Sequence, residues 1–346
     1  MIRDVTAAIH GPPVSMLHLR VALLVLVLAL AACGPAAPSQ ATRPPAAAAG
    51  AARTAVPTLD PATEANAQWK TLVGVATVPG IFDAPLGLAV DSRGVLYVAD
   101  ASQNRLVVID TSTGQVLGAI GAFGAGPLQF QAPTAVAVDT KDNVYVAERN
   151  ANRVQKISSA GQYVASITPQ DAFNSPFGVA LDSQDNLVVA DSGNNRVRKL
   201  GQANNEVLLS IGTLGQGRAQ FNGPTSVGVG PFDNVYVADR GNSRVEIFDN
   251  TGAFLGAFGQ PGDAATDFRL PSALGVSLTS GDLYVADTDN NRVVHYSPTS
   301  PDPVPMGSRG SGADQFQSPA GVAVDRAGNV YVSDTGNKRI LKLAHQ

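Results

Sequence analysis

Only one cysteine stands among 346 residues, so no intramolecular disulfide can brace this chain. Histidine is scarce, at four, and tryptophan occurs once. Charged residues make up 15% and the formal net charge is −4, which lacks the basic footprint that a phosphate backbone requires. Nucleic acid is therefore set aside as a partner. Leu-rich stretches of helical period are few, which argues against a helical protein. What the chain has in quantity is glycine (35) and proline (23), the punctuation of many turns between short strands.

One apolar run stands apart, VALLVLVLALAA over residues 21–32. As a helix it would be about 18 Å long, short of a hydrocarbon core of about 30 Å. Arg20 precedes it, Ala31 and Ala32 close it, and Cys33 follows. Leu30-Ala31-Ala32-Cys33 resembles the bacterial lipobox. The resemblance implies cleavage before Cys33 and a lipid on its thiol, so residues 1–32 read as a lipoprotein signal peptide. The chain is then expected to sit outside the cytoplasm, anchored to a bacterial membrane. Met16 begins a more usual signal start (MLHLR) than Met1, and translation from Met16 is expected. Without residues 1–32 the chain has 22 basic and 27 acidic side chains. Residues 33–68 carry the lipidated Cys33 and an Ala/Pro-rich linker, with 13 Ala and 6 Pro in the 35 residues after Cys33. Too few large apolar side chains occur there to build a core, so disorder is expected.

From residue 69 to 346 the chain repeats itself. The unit reads P-x-G-V-A-V-D, N-V-Y-V-A-D, N-x-R-V. Its prolines are Pro85, Pro133, Pro176, Pro224, Pro271 and Pro319. An acid and an arginine five residues later recur in each. They are Asp100 with Arg105, Glu148 with Arg153, Asp191 with Arg196, Asp239 with Arg244, Asp287 with Arg292 and Asp334 with Arg339. Each unit holds about four short β runs separated by turn residues. The expected fold is all-β, a six-bladed β-propeller of four-stranded antiparallel blades. The sixth unit stops after its third strand, and residues 70–77 are expected to supply the missing outer strand and close the ring.

GLAVDSRGVLYVADASQNRLVVID (87–110), AVAVDTKDNVYVAERNANRVQKIS (135–158) and GVALDSQDNLVVADSGNNRVRKL (178–200) resemble the NHL repeat. So do SVGVGPFDNVYVADRGNSRVEIFD (226–249), LGVSLTSGDLYVADTDNNRVVHY (274–296) and GVAVDRAGNVYVSDTGNKRILKL (321–343). Gly230 and Ser277 stand where the other units have Asp. The resemblance implies a six-bladed propeller that works as a binding platform.

The six acid–arginine pairs flank a hairpin turn, and their presence in every unit reads as structural. Asp91, Asp139, Asp182 and Asp325 read as turn formers. Asp287-Thr288-Asp289-Asn290-Asn291 begins like a Ca²⁺ loop, but Arg292 replaces the required glycine and Pro298 the twelfth-position acid. The channel mouth is expected at the residues after each proline: Leu86, Thr134, Phe177, Thr225, Ser272 and Ala320. None of these ionises, and only His295 and His345 remain in the mature chain, so no catalytic residue, metal site or cofactor is expected.

The face bearing the Gly-rich loops and the second-to-third strand turns is the expected binding face, with Arg149, Phe177, Arg240, Phe268, Asp289 and Lys338 as contacts. Partners expected there are an envelope protein, a peptide or a glycan, bound by a monomer tethered to the membrane. The alternatives are a propeller lyase or lactonase-like enzyme with a central-channel metal, and a cell-wall glycan-binding module.

Overall fold

A computed structural model describes residues 69–74, 78 and 80–344. The signal peptide, Cys33, the linker, both candidate start methionines, residues 75–77 and His345 lie outside the described residues. Six four-stranded antiparallel sheets follow one another along the chain. Blades 1 to 5 are each one continuous segment: 85–120, 133–167, 176–211, 224–258 and 271–306. In each, the first strand is innermost and the fourth lies at the rim. Contacts between successive innermost strands, including the sixth with the first, close a six-bladed propeller.

Each first strand opens on the repeat proline and carries a bulge directly after it, as between Pro133 and Ala135. Proline has no N–H to give a ladder, so the start of a strand is where it fits. In blades 2 to 6 the second strands are buried along their whole length, as in Val144–Glu148 and Val235–Asp239. Neighbouring blades cover both of their faces, which is why they read as continuous apolar runs rather than as alternation.

Blade 6 takes three strands from residues 319–343 and its rim strand from Lys70–Gly74. Lys70 pairs with Lys342 and Gly74 with Arg339. Trp69, only 2% exposed, sets its ring edge-on to Phe316 at 5.4 Å. Its backbone N–H donates to Asp314 Oδ1 at 2.9 Å. The ring is thus clasped by strands from opposite ends of the propeller segment.

Two ends of the ring follow from the strand directions. The upper end holds the loops entering each blade and the turns between second and third strands. The lower end holds the turns between first and second strands and between third and fourth.

Candidate functional site

At the upper end the repeat acids and arginines build the loops. Arg339 Nε donates to Asp334 Oδ2 at 2.7 Å, while its Nη atoms donate to the carbonyls of Ser311, Gly312 and Gln315 at 2.7–2.9 Å. Asp334 Oδ1 accepts the backbone N–H of Gln317 at 2.7 Å. In blade 2 the acid is a glutamate, and Arg153 keeps the arrangement. Arg153 Nε donates to Glu148 Oε1 at 2.6 Å, and its Nη atoms donate to the carbonyls of Ala125 and Gln129 at 2.7 and 2.8 Å. Arg244 with Asp239 and Arg292 with Asp287 repeat it, and Arg196 joins Asp191 to Asp171.

Blade 1 departs from the expected pairing. Asp100 accepts the N–H groups of Asp83 and Ala84, but Arg105 turns instead to the Ile81 carbonyl at 2.9 Å. Five of the six guanidiniums thus bond both the repeat acid and the loop above it, while Arg105 keeps one loop carbonyl and leaves its buried Nε without a partner among the described residues.

The expected contact residues of this face fare differently from one another. Phe268 is a correction: it is fully buried, packed on Phe258 and Tyr296. Its ring lies where a Cβ on Gly259 would come within 2.4 Å, and Gly259 has φ of +91°. Phe82, Phe130, Phe173, Phe221 and Phe316 hold the same place, three residues before a repeat proline, and all are buried. Arg149 lies 6.0 Å over the ring of Phe177, so those two engage each other across blades 2 and 3. Lys338 is ion-paired to Asp83 at 2.6 Å across the seam of blades 6 and 1. Arg240 is half-buried and Asp289 exposed.

Of the residues expected at the channel mouth, Leu86, Phe177 and Ala320 are half-buried. Thr134, Thr225 and Ser272 are buried; Thr134 and Thr225 donate to the Phe177 and Pro271 carbonyls of the next blade, and Ser272 bonds Thr288 Oγ1 at 2.6 Å, which donates to the Pro319 carbonyl at 2.8 Å. Thr335 Oγ1 does the same for Pro85 at 2.6 Å. Hydroxyls lace this end together. A cavity of about 530 Å³ lies at the lower end. Its shaft is aliphatic or glycine throughout, from Leu88–Val90, Val179–Leu181, Val227–Val229, Leu274–Val276 and Val322–Val324 among others.

The rim of that cavity is built from the first-to-second strand turns. Asp91, Asp139, Asp182 and Asp325 form them, each Oδ1 accepting the N–H groups two and four residues on at 2.8–3.0 Å. Each turn also has a left-handed position just before its second strand, and the blade-4 turn has a second one at Phe232. Blades 2, 3 and 4 fill the shared position with Asp142, Asp185 and Asp233, and blades 5, 6 and 1 with Gly281, Gly328 and Gly94. The three aspartates chelate the previous blade. Asp142 takes the N–H and hydroxyl of Ser92 at 2.9 and 2.7 Å, Asp185 those of Thr140 at 3.0 and 2.6 Å, and Asp233 those of Ser183 at 2.9 and 2.8 Å. Burial opposes ionisation of Asp142, but donation from Ser92, with Arg93 and Arg326 nearby, outweighs it and holds the carboxyl below its ordinary value.

The relay stops at blade 4. Where blades 1 to 3 place Ser or Thr, blades 4, 5 and 6 have Pro231, Leu278 and Arg326. Leu278 is 64% exposed and Phe232 60%. Phe232 holds φ of +63°, a left-handed conformation that costs a residue with a Cβ about 1–2 kcal/mol. One half of the rim is therefore a closed hydroxyl–carboxylate arc, and the other an apolar lip beside an exposed arginine.

Blade 5 repairs the loss of its turn aspartate. Asp282 stands 3.1 Å from Nε2 of the buried His295, which stacks on Tyr284 at 4.4 Å. Burial works against the Asp282 charge, yet bonds from His295 and Ser280 keep its carboxyl below the ordinary value. Among the described residues no group of three His, Cys, Asp or Glu is placed to hold a metal ion.

The sequence alone pointed to the loop face and passed over the lower rim. Its signal was present: a Ser or Thr after the turn aspartate, answered by an aspartate in the next unit, in half of the ring only.

Comparison with known proteins adds the following. No curated protein matches this chain. Among solved structures, a protein of unknown function from Bacteroides thetaiotaomicron superposes with a TM-score of 0.63 at 18% identity, covering 80% of this chain and 75% of that one. An auxiliary nutrient binding protein from Bacteroides ovatus gives 0.59 at 16% identity, over 81% and 74%. Virginiamycin B lyase from Staphylococcus aureus gives 0.56 at 13% identity, over 80% and 99%. At such identities the likeness is one of fold. The NHL repeat matches five segments, 130–157, 173–200, 221–248, 268–296 and 316–343. With six blades of this pattern closed into one ring, the chain belongs to the NHL-repeat family of β-propellers.

Proposed function

We propose that this protein is a binding scaffold of the bacterial envelope, tethered through lipid on Cys33, whose ligand site is the lower cavity. The observation that carries the reading is the broken symmetry of that rim. Six repeats alone would give six equal turns, and the ring instead presents an apolar lip at Phe232 and Leu278 over an aliphatic shaft. An aromatic held exposed in a left-handed conformation costs stability without adding to the core, a pattern found where binding is the return. A concave, mostly apolar cavity with a few polar groups at its mouth suits a small ligand. Similarity in fold to proteins described as nutrient binding accords with this. The lipobox and the apolar run before Cys33 support the tether.

A thermal-shift screen of small envelope and nutrient compounds tests the site. A ligand at a hundred times its Kd stabilises by about 2.7 kcal/mol, a shift of several degrees. Phe232→Ser with Leu278→Ser, both on exposed side chains, is expected to abolish the shift without lowering the unliganded Tm. A shift that survives both substitutions refutes the site. Cys33→Ala is expected to release the protein into soluble fractions, and its retention on membranes refutes the tether.

A further inference from the structure

Four blade-entry loops share one geometry. Each forms a short parallel pairing that sets one loop residue opposite a buried phenylalanine: Phe123 with Phe130, Leu214 with Phe221, Pro261 with Phe268 and Arg309 with Phe316. Because the four phenylalanines occupy equivalent core positions, the four tips stand at equivalent positions around the upper end. Three of the four tips are apolar. Phe123 is 72% exposed and Leu214 67%, the most exposed large apolar side chains among the described residues.

Basic side chains accompany them. Arg149, Arg218, Arg269 and Arg309 are exposed at the same end. Asp263, Asp289 and Asp314 are the exposed acids that answer them there, the last also accepting the Trp69 N–H, while Asp83 is taken by Lys338 and Asp171 by Arg196 and Arg198. The lower end has the opposite balance. In its turns Asp110, Asp142, Glu206, Asp233, Asp249 and Asp302 outnumber Arg93, Lys141 and Arg326. A chain of negative net charge thus gathers exposed cations and exposed apolar tips on one side.

We propose that the upper face docks on an anionic lipid surface, with Phe123 and Leu214 entering the headgroup boundary and the arginines meeting lipid phosphates. The inference rests on the tether of the preceding section, which holds the domain near bilayer at high effective concentration, so weak contacts suffice. Apolar side chains on rigid loops, ringed by cations, match a boundary where acyl chains meet anionic headgroups. A soluble polyanion would satisfy the arginines and leave the exposed apolar tips in water. Docking in this sense turns the lower cavity away from the membrane, open to the compartment.

Strand polarity permits it. Lys70 enters the rim strand of blade 6 from the lower end, since it pairs with Lys342 rather than Arg339. The tether must then pass a five-residue strand, about 17 Å. As a coil, the 35 residues between Cys33 and Trp69 would span about 30–35 Å, enough to reach round the rim.

The test uses the intact lipidated protein in vesicles containing brominated acyl chains. Phe123→Trp puts an indole on the upper tip and Phe232→Trp one on the lower lip, while the native Trp69 is buried and common to both. In phosphatidylglycerol vesicles, emission from F123W is expected to be quenched at least twofold more than that from F232W. Raising salt to about 0.5 M, where screening acts within a few ångströms, or Arg149→Glu with Arg309→Glu, is expected to halve the difference. Equal quenching at both sites, or none at F123W in protein that floats with the vesicles, overturns the proposal. So does binding of a soluble acidic polysaccharide by the upper face without any quenching. Protein that fails to float removes the tether instead, and F123W quenching in protein added from solution then decides the face alone.

Discussion

Glu246 gives the sharpest quantitative test of how this propeller is held together. It lies fully buried in the third strand of blade 4. One oxygen accepts the Ala219 N–H at 3.0 Å, and the other sits 2.7 Å from Arg244 Nη2 without the alignment of a hydrogen bond. Arg244 is already committed to Asp239 at 2.9 Å and to the carbonyls of Gln216, Gly217 and Gln220. Burial dominates, opposed by Arg244 and Ala219 and reinforced by Asp239, and the carboxyl is pushed up to about 7. A raised carboxyl binds its proton more tightly in the folded state, so stability falls as pH rises from about 4.5, where the unfolded chain ionises, to about 7. At pH 8 the full cost is about 3 kcal/mol.

Blade 2 shows what should replace it. Gln155, at the equivalent position, accepts the Leu128 N–H at 3.1 Å and donates to Gln129 O and Glu148 Oε1 at 2.7 Å each. Glu246→Gln can make the same bonds and carries no charge. The variant is expected to match the parent near pH 5 and to exceed it by about 3 kcal/mol at pH 8. That is a Tm gain of roughly 5–10 °C for a chain of this size. The assay is thermal unfolding of both proteins across pH 5–8. A Tm difference that does not grow with pH, or a variant less stable at pH 8, refutes the reasoning.

Four further outcomes follow from geometry. Val73→Asp buries an unpaired carboxylate in the clasp strand, where Val73 is 1% exposed, and is expected to cost several kcal/mol. Emission from the sole tryptophan, Trp69, should shift to the red at lower denaturant. Gly212→Ala sets a Cβ 2.4 Å from the Phe221 ring at φ of +105°, for an expected loss of about 1–3 kcal/mol by urea titration. Gly161→Ala, also at positive φ but with nothing within 4 Å, should cost about 1 kcal/mol. Arg339→Lys keeps a cation beside Asp334 but gives up a guanidinium that binds three loop carbonyls, and a loss of about 1–3 kcal/mol is expected in the same titration.

The ring was legible in the sequence because its period is written in residues that do one job each. The prolines start innermost strands, and the Val-Tyr-Val-Ala-Asp runs are buried on both faces. The unfinished sixth unit required a strand from elsewhere, and Lys70–Gly74 provides it. Phe268 was misread because an aromatic within a Gly-rich loop looks like a surface contact when viewed singly. Seen with its five counterparts before the other prolines, it is a core residue. The position of the cavity was not legible. It depends on which end of six converging strands is laced by hydroxyl-to-carbonyl bonds, and those bonds join residues more than 30 apart, as Thr134 to Phe177.

The clasp also orders events in time. Lys70 and Lys342 are neighbours in one sheet, so the first part of the propeller in chain order has no partner until almost the last part is in place. Blades can gather one by one along the emerging chain, but the circle stays open, with a bare strand edge, until delivery is complete. An interrupted or clipped product would therefore keep that edge exposed, a mark by which proteases could sort unfinished copies from finished ones.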